Sequence, residues 1–173
     1  LIIMSATINA DLFINYFPKK DFRFGFLDGG GGNPFPIEQT FLPDTKSTFR
    51  MNDNGVIMNK DEIVGQAVDK AYEILTTTDE GDILVFVPGT GDGPLGCQLL
   101  EQKIKAHNIN KHAKLYCTGL AGRTPDAEAA ISISASNWKT LNGAPNNGYE
   151  RRVIFATDVA ESSLTIKGMQ YVI

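Results

Sequence analysis

Cysteine is nearly absent from this chain: Cys97 and Cys117 are the two among 173 residues. That excludes a small scaffold stapled by several disulfides, and the pair lacks the close C-x-x-C spacing of a zinc site. His107 and His112 lie between them, too widely spaced to complete a known zinc pattern. No disulfide framework is expected, and a reducing compartment is the better fit. Long apolar runs are missing too. None approaches the roughly 20 residues that span a bilayer, and the N-terminal "LIIMSA" lacks the basic start and the length of a signal peptide. No membrane partner is expected, and the expected location is intracellular, nuclear or cytoplasmic. Nor is there an excess of positive charge. Sixteen Lys plus Arg against 20 Asp plus Glu give a formal net charge of −4, so bulk attraction to nucleic acid is excluded and any phosphate contact must be local. No internal repeat is visible.

What is present is globular in character, with 42% hydrophobic and 21% charged residues. The length suits one core with a fragment of a second domain beside it. Leu1 to Met4 reads as a buried strand, followed by a helix in "NADLFINYF" whose Leu12, Phe13, Tyr16 and Phe17 recur at helical spacing until Pro18 stops it. Lys19 to Asn59 is irregular and rich in glycine and proline, with "IEQTFL" as one strand. From Asp61 a helix places Ile63, Ala67, Ala71 and Ile74 on one face. Strand "ILVFV", a helix from about Leu95 to Ala106, strand "AKLYC", a short helix near Pro125 to Ile131, and strands "RVIFA" and "MQYVI" follow. Between the last helix and "RVIFA", Ser132 to Glu150 reads as a solvent-exposed polar insert. Continuous apolar strands alternating with helices predict an α/β fold with a parallel sheet covered on both faces. Both termini fall inside apolar strand patterns, so the chain is expected to have been cut from a longer polypeptide.

Three stretches carry chemistry. "PGTGDGPLGCQLL" follows a strand and opens a helix, where a phosphate-binding loop would lie, but Cys97 and Gln98 stand where that loop needs its lysine and its hydroxyl. Its glycine amides remain able to hold a backbone phosphate. "SATINADLF" places Ser5 and Thr7 after a buried strand, either as helix caps or as hydroxyls that read the state of a neighbouring site. In "ATDVAESSLTI", Thr157, Ser162, Ser163 and Thr165 crowd a strand end, either as caps and surface or as uncharged donors to phosphate.

Together, "SAT", "GDILVFVPG" and "ATDVAESSLTI" closely resemble motifs III, IV and V of the DEAH-box helicases, in that order. "FPIEQTFL" and "LYCTGLAG" resemble that family's approach to its second RecA-like domain and its motif IVa. The resemblance implies that residues 1–18 end a first RecA-like domain, 19–36 form the interdomain linker, and 37–173 form a second, truncated before motif VI. It further implies that Ser5 and Thr7 couple ATP hydrolysis to domain motion. Gly89, Thr90, Thr118, Thr157 and Asp158 would lie along single-stranded or partly duplex RNA. Ser162, Ser163 and Thr165 would face the nucleotide. Asp158 and Lys167 depart from the family's usual asparagine and aspartate. No G-x-x-x-x-G-K-[ST], Asp-Glu-x-His or motif VI is present, so ATP and Mg2+ would be bound mainly outside these residues and the isolated chain is expected to be inactive. An activating protein partner is left open. Two other readings stand beside this one: a nucleotide-binding α/β enzyme using the Gly89 to Gly96 loop, and a non-catalytic helicase-like module that binds a protein through its insert.

Overall fold

The computed structural model describes residues 2–3, 10–17, 21, 23, 25–27, 35–41, 49–107, 114–142, 144, 148–158 and 166–173. The chain comprises two compact units, Leu1–Leu42 and Pro43–Ile173. In the first, helix α1 (Ala10–Tyr16) ends before Pro18 and leaves Leu12 and Tyr16 exposed. Residues 37–41, expected within a strand, are exposed and pair with no strand among the described residues.

The second unit contains α2 (Lys60–Thr77), β1 (Asp82–Phe86), α3 (Asp92–Ala106), β2 (Leu115–Leu120), α4 (Asp126–Ile133), β3 (Arg151–Ala156) and β4 (Met169–Val172). Its four strands form a parallel sheet in the order β2-β3-β1-β4. A parallel sheet needs both faces covered. Helices α2 and α3 cover one, where Val64, Val68, Ala71, Leu75 and Leu100 meet Ile83, Val85, Val153 and Phe155. On the other, Ala129 and Ile133 of α4 pack with Leu84, Leu120, Ile154 and Ala156. Every residue of β3 is buried, as the continuous apolar run requires of a central strand. The buried stripe of α2 is offset by one residue from the expected face: Val64, Val68, Ala71 and Leu75 are enclosed, whereas Ala67 and Ile74 flank them. Both sets satisfy helical spacing, and contact with the sheet decides between them.

Two buried arginines anchor the start of β3. The Nε and Nη2 of Arg151 donate to the Gly81 carbonyl at 3.0 and 2.9 Å. Its Nη1 donates to the Leu75 and Thr78 carbonyls at 3.4 and 2.8 Å, and Nη2 also reaches Thr78 Oγ1 at 3.1 Å. These bonds satisfy carbonyls that the end of α2 leaves free. The Arg152 backbone amide and Nε donate to the two carboxylate oxygens of Asp82 at 2.9 and 3.1 Å. Its Nη1 donates to the Ser132 and Ser134 carbonyls and its Nη2 to that of Lys167. Burial lowers the pKa of both guanidinium groups, opposed chiefly by Tyr171 at Arg151 and by Asp82 at Arg152. Both stay charged, because arginine starts so high.

The insert is not a simple exposed loop. Ser132 belongs to α4, residues Asn137–Thr140 form one 3-10 turn, and Trp138 is 1% exposed. Its indole lies under the Arg152 guanidinium, 5.2 Å from the ring centre, and stacks near Tyr116 at 6.1 Å. One large apolar ring is enough to pull a polar segment inward. Of the insert, Gly143 and 145–147 lie outside the described residues.

The cysteines also differ from expectation: Cys97 and Cys117 form a disulfide, with their Cα atoms 5.6 Å apart. Their 20-residue separation conceals that α3 lies on β2. Reducing the bridge should lower unfolding free energy by about 3 kcal/mol on the loop-entropy account. Urea midpoints with and without reductant check this, and equal midpoints would mean that the bridge adds nothing. Arg152→Met, which strands the Asp82 carboxylate, should cost about 3 to 5 kcal/mol in the same assay.

Candidate nucleic-acid interface

Because all four strands run the same way, their C-terminal ends share one edge of the sheet, and ligands of such sheets bind outside that edge. Phe86 and Leu120 both pair with Ala156, so β1, β3 and β2 finish level with one another. The chain then stays tied across the strand ends. The Val87 amide donates to the Ala156 carbonyl at 2.8 Å, and the Thr157 amide to the Leu120 carbonyl at 3.0 Å. Gly89 and Thr90 therefore leave β1 beside Thr157 and Asp158 leaving β3. Thr90 and Asp158 are exposed, Gly89 is half-buried, and Thr157 is 8% exposed.

Thr118 is placed differently. It pairs with Ile154 inside β2, two residues short of the edge. Its side chain shares the face of Leu120 and α4 by strand alternation. Its hydroxyl makes only a weak 3.4 Å bond to the neighbouring Gly119 carbonyl. Ser5, Thr7, Ser162, Ser163 and Thr165 lie outside the described residues. Lys167 is exposed; its carbonyl accepts from Arg152 and its backbone amide donates to the Ile133 carbonyl at 3.4 Å.

One edge residue has no signal in its local sequence. Lys60, the first residue of α2, has its Nζ 3.6 Å from the point where a Gly89 Cβ would stand, and Asp92 Oδ2 lies 3.0 Å from that point. Asp92 Oδ2 is buried and accepts no hydrogen bond. Lys60 precedes Gly89 by a whole helix and strand, so only the fold brings them together.

Two of the glycines after β1, Gly93 and Gly96, serve close packing. Helix α3 begins at Asp92, inside the stretch read as a loop, and accommodates Pro94 because its first turn needs no amide there. A Cβ on Gly93 would come within 3.0 Å of Gly119 Cα and 3.1 Å of the Phe155 carbonyl, and one on Gly96 within 2.6 Å of the Phe155 ring. Gly93 and Gly96 thus reflect a helix lying tight on its sheet, whereas a Cβ on Gly91 would meet open space. Among the described residues there is no group of three His, Cys, Asp or Glu that could hold a metal. Without a loop lysine, these residues alone do not fit a nucleoside triphosphate with Mg2+. Gly96→Ala should destabilise the unit by about 1 to 3 kcal/mol through overpacking, visible as a lower urea midpoint. An unchanged midpoint would reopen the glycines to a ligand role.

No family model matches the chain. Among curated proteins, it is 33% identical over 174 residues to the chloroplastic ATP-dependent RNA helicase DEAH12 of Arabidopsis thaliana. It is 30% identical over 173 residues to DEAH11 of the same plant, also named a chloroplastic ATP-dependent RNA helicase. Each alignment takes in 100% of this chain and 8% of the relative, so the chain spans under a tenth of those proteins. Among solved structures, the E. coli DExH-box NTPase HrpB aligns with 63% of this chain and 11% of its own, at 26% identity and a TM-score of 0.44.

Proposed function

We propose that this chain, which belongs to the DEAH-box helicase family, forms most of the second motor lobe of a longer ATP-dependent RNA helicase. Residues 1–18 would end the first lobe, 19–36 link the two, and 37–173 form the second. In this reading the sheet edge grips the RNA backbone with groups that carry no net charge. Gly89 and Thr90 offer amides and a hydroxyl, and Thr157 a hydroxyl. Thr118, set back from the edge, would need a nucleotide to enter beside β2. A carboxylate repels phosphate and only accepts hydrogen bonds, so Asp158 suits a ribose 2′-hydroxyl better.

ATP and Mg2+ would be held mainly by the first lobe and supply the energy that opens and closes the cleft. Ser162, Ser163 and Thr165 would face that cleft, while Ser5 and Thr7 would pass its state to the linker. Translocation and unwinding follow if closure tightens the grip and opening relaxes it. Phosphate and ribose contacts carry no base information, so sequence preference would come from other parts of the protein or from an activating partner. Working inside a cell, in nucleus or cytoplasm, belongs to the same proposal.

The observation that carries the reading is the adjacency of the 89–90 and 157–158 segments at one sheet edge, fixed by the bonds from Val87 to Ala156 and from Thr157 to Leu120. The test is Thr157→Val in the full-length polypeptide, which keeps the buried volume and removes the hydroxyl. RNA affinity should fall about five-fold, equally for two oligonucleotides of unrelated sequence, as loss of about one hydrogen bond predicts. Unchanged affinity, or loss confined to one sequence, would remove Thr157 from the RNA track.

A further inference from the structure

We propose that the Lys60 ammonium is a phosphate contact of the polynucleotide track, supplying from the start of α2 the positive charge that the loop between β1 and α3 does not carry. The proposal rests on the placement of RNA along this edge and adds to it a specific cation. Residues 87–91, Val-Pro-Gly-Thr-Gly, contain no basic side chain. The nearest charge within the loop's own continuation is the Asp92 carboxylate, which opposes a phosphate at Gly89. Lys60 offsets it in space, because its Nζ and Asp92 Oδ2 both reach the position that the missing Gly89 side chain leaves vacant.

Two features of Lys60 are unexplained by packing. The first turn of a helix favours acidic residues and disfavours cations. Asp61 and Glu62 obey that rule, but Lys60 sits at the first position of the same turn. Its ammonium also has no direct bonding partner among the described residues. Glu62 is bound by Arg50 at 2.6 Å, and Lys60 makes no hydrogen bond or ion pair with any described residue. A half-buried lysine held against its local electrostatic preference and aimed at a glycine on a ligand-binding edge is what a phosphate contact requires. The ligand chemistry is the phosphodiester backbone of a single strand, contacted irrespective of base.

The experiment measures binding of the full-length polypeptide to a 12-nucleotide single-stranded RNA across a salt series, for wild type, Lys60→Ala, Lys60→Arg, Lys60→Ala with Asp92→Asn, and Thr157→Val. Lys60→Ala should weaken binding about three- to ten-fold for any base sequence and reduce the slope of log K against log salt by about 0.7, the share of one phosphate on a single strand. Lys60→Arg should keep affinity and slope within about two-fold of wild type. If Lys60→Ala leaves both unchanged while Thr157→Val weakens binding, the assignment of Lys60 fails and the RNA track stands. If neither substitution matters, the track itself fails. Full recovery of affinity and slope on adding Asp92→Asn would also overturn the proposal, since Lys60 would then serve only to neutralise Asp92. A urea midpoint for Lys60→Ala close to wild type is expected, and a large drop in it would assign the lysine to folding instead.

Discussion

The second unit hangs on the two arginines that begin its central strand. Arg151 collects the end of α2 and the turn into β1, while Arg152 collects Asp82 at the start of β1, the end of α4 and the segment before β4. Burying a guanidinium is costly unless its donors are used, and here the fan of donors is distributed over backbone carbonyls and one carboxylate. The bonds lie at the N-terminal end of the strands, opposite the proposed RNA edge. One end of the sheet is therefore held by dense polar bonding that leaves the other end free to present loops.

Much of the architecture is legible in the sequence, for a simple reason: a strand buried on both faces must be apolar throughout, and "ILVFV" and "RVIFA" announce themselves. What local pattern could not supply is information about which distant surfaces meet. The helix face of α2 is ambiguous by one residue until the sheet selects it. The roles of Arg151 and Arg152 become visible only when β3 is placed in the centre. Trp138 lies in a run of glycine, asparagine and serine that looks solvated, and only its packing beneath Arg152 reveals otherwise. The disulfide depends on α3 crossing β2, which no spacing rule encodes.

The edge itself shows the same division. Gly89, Thr90, Thr157 and Asp158, assigned to RNA by the family resemblance alone, each follow an apolar run, where a parallel sheet presents its loops. Thr118, which the family resemblance puts along the RNA, lies two residues short of that edge inside β2. Gly93 and Gly96 help "GTGDGPLG" imitate a phosphate loop because close helix-to-sheet contact and close approach to a phosphate make the same demand, an absent side chain. Lys60, which meets them from the other end of α2, was invisible to any motif.

The strand order has a consequence for biosynthesis. Among the described residues β2 pairs with β3, and β1 with β3 and β4, so both earlier strands leave the ribosome before the strands they pair with. Until Arg151 to Ala156 has been made, their apolar edges wait as unpaired templates, the condition in which nascent chains invite chaperones or aggregate. Assembly of this sheet must then be late and non-local, completed by the segment that ends up in its middle.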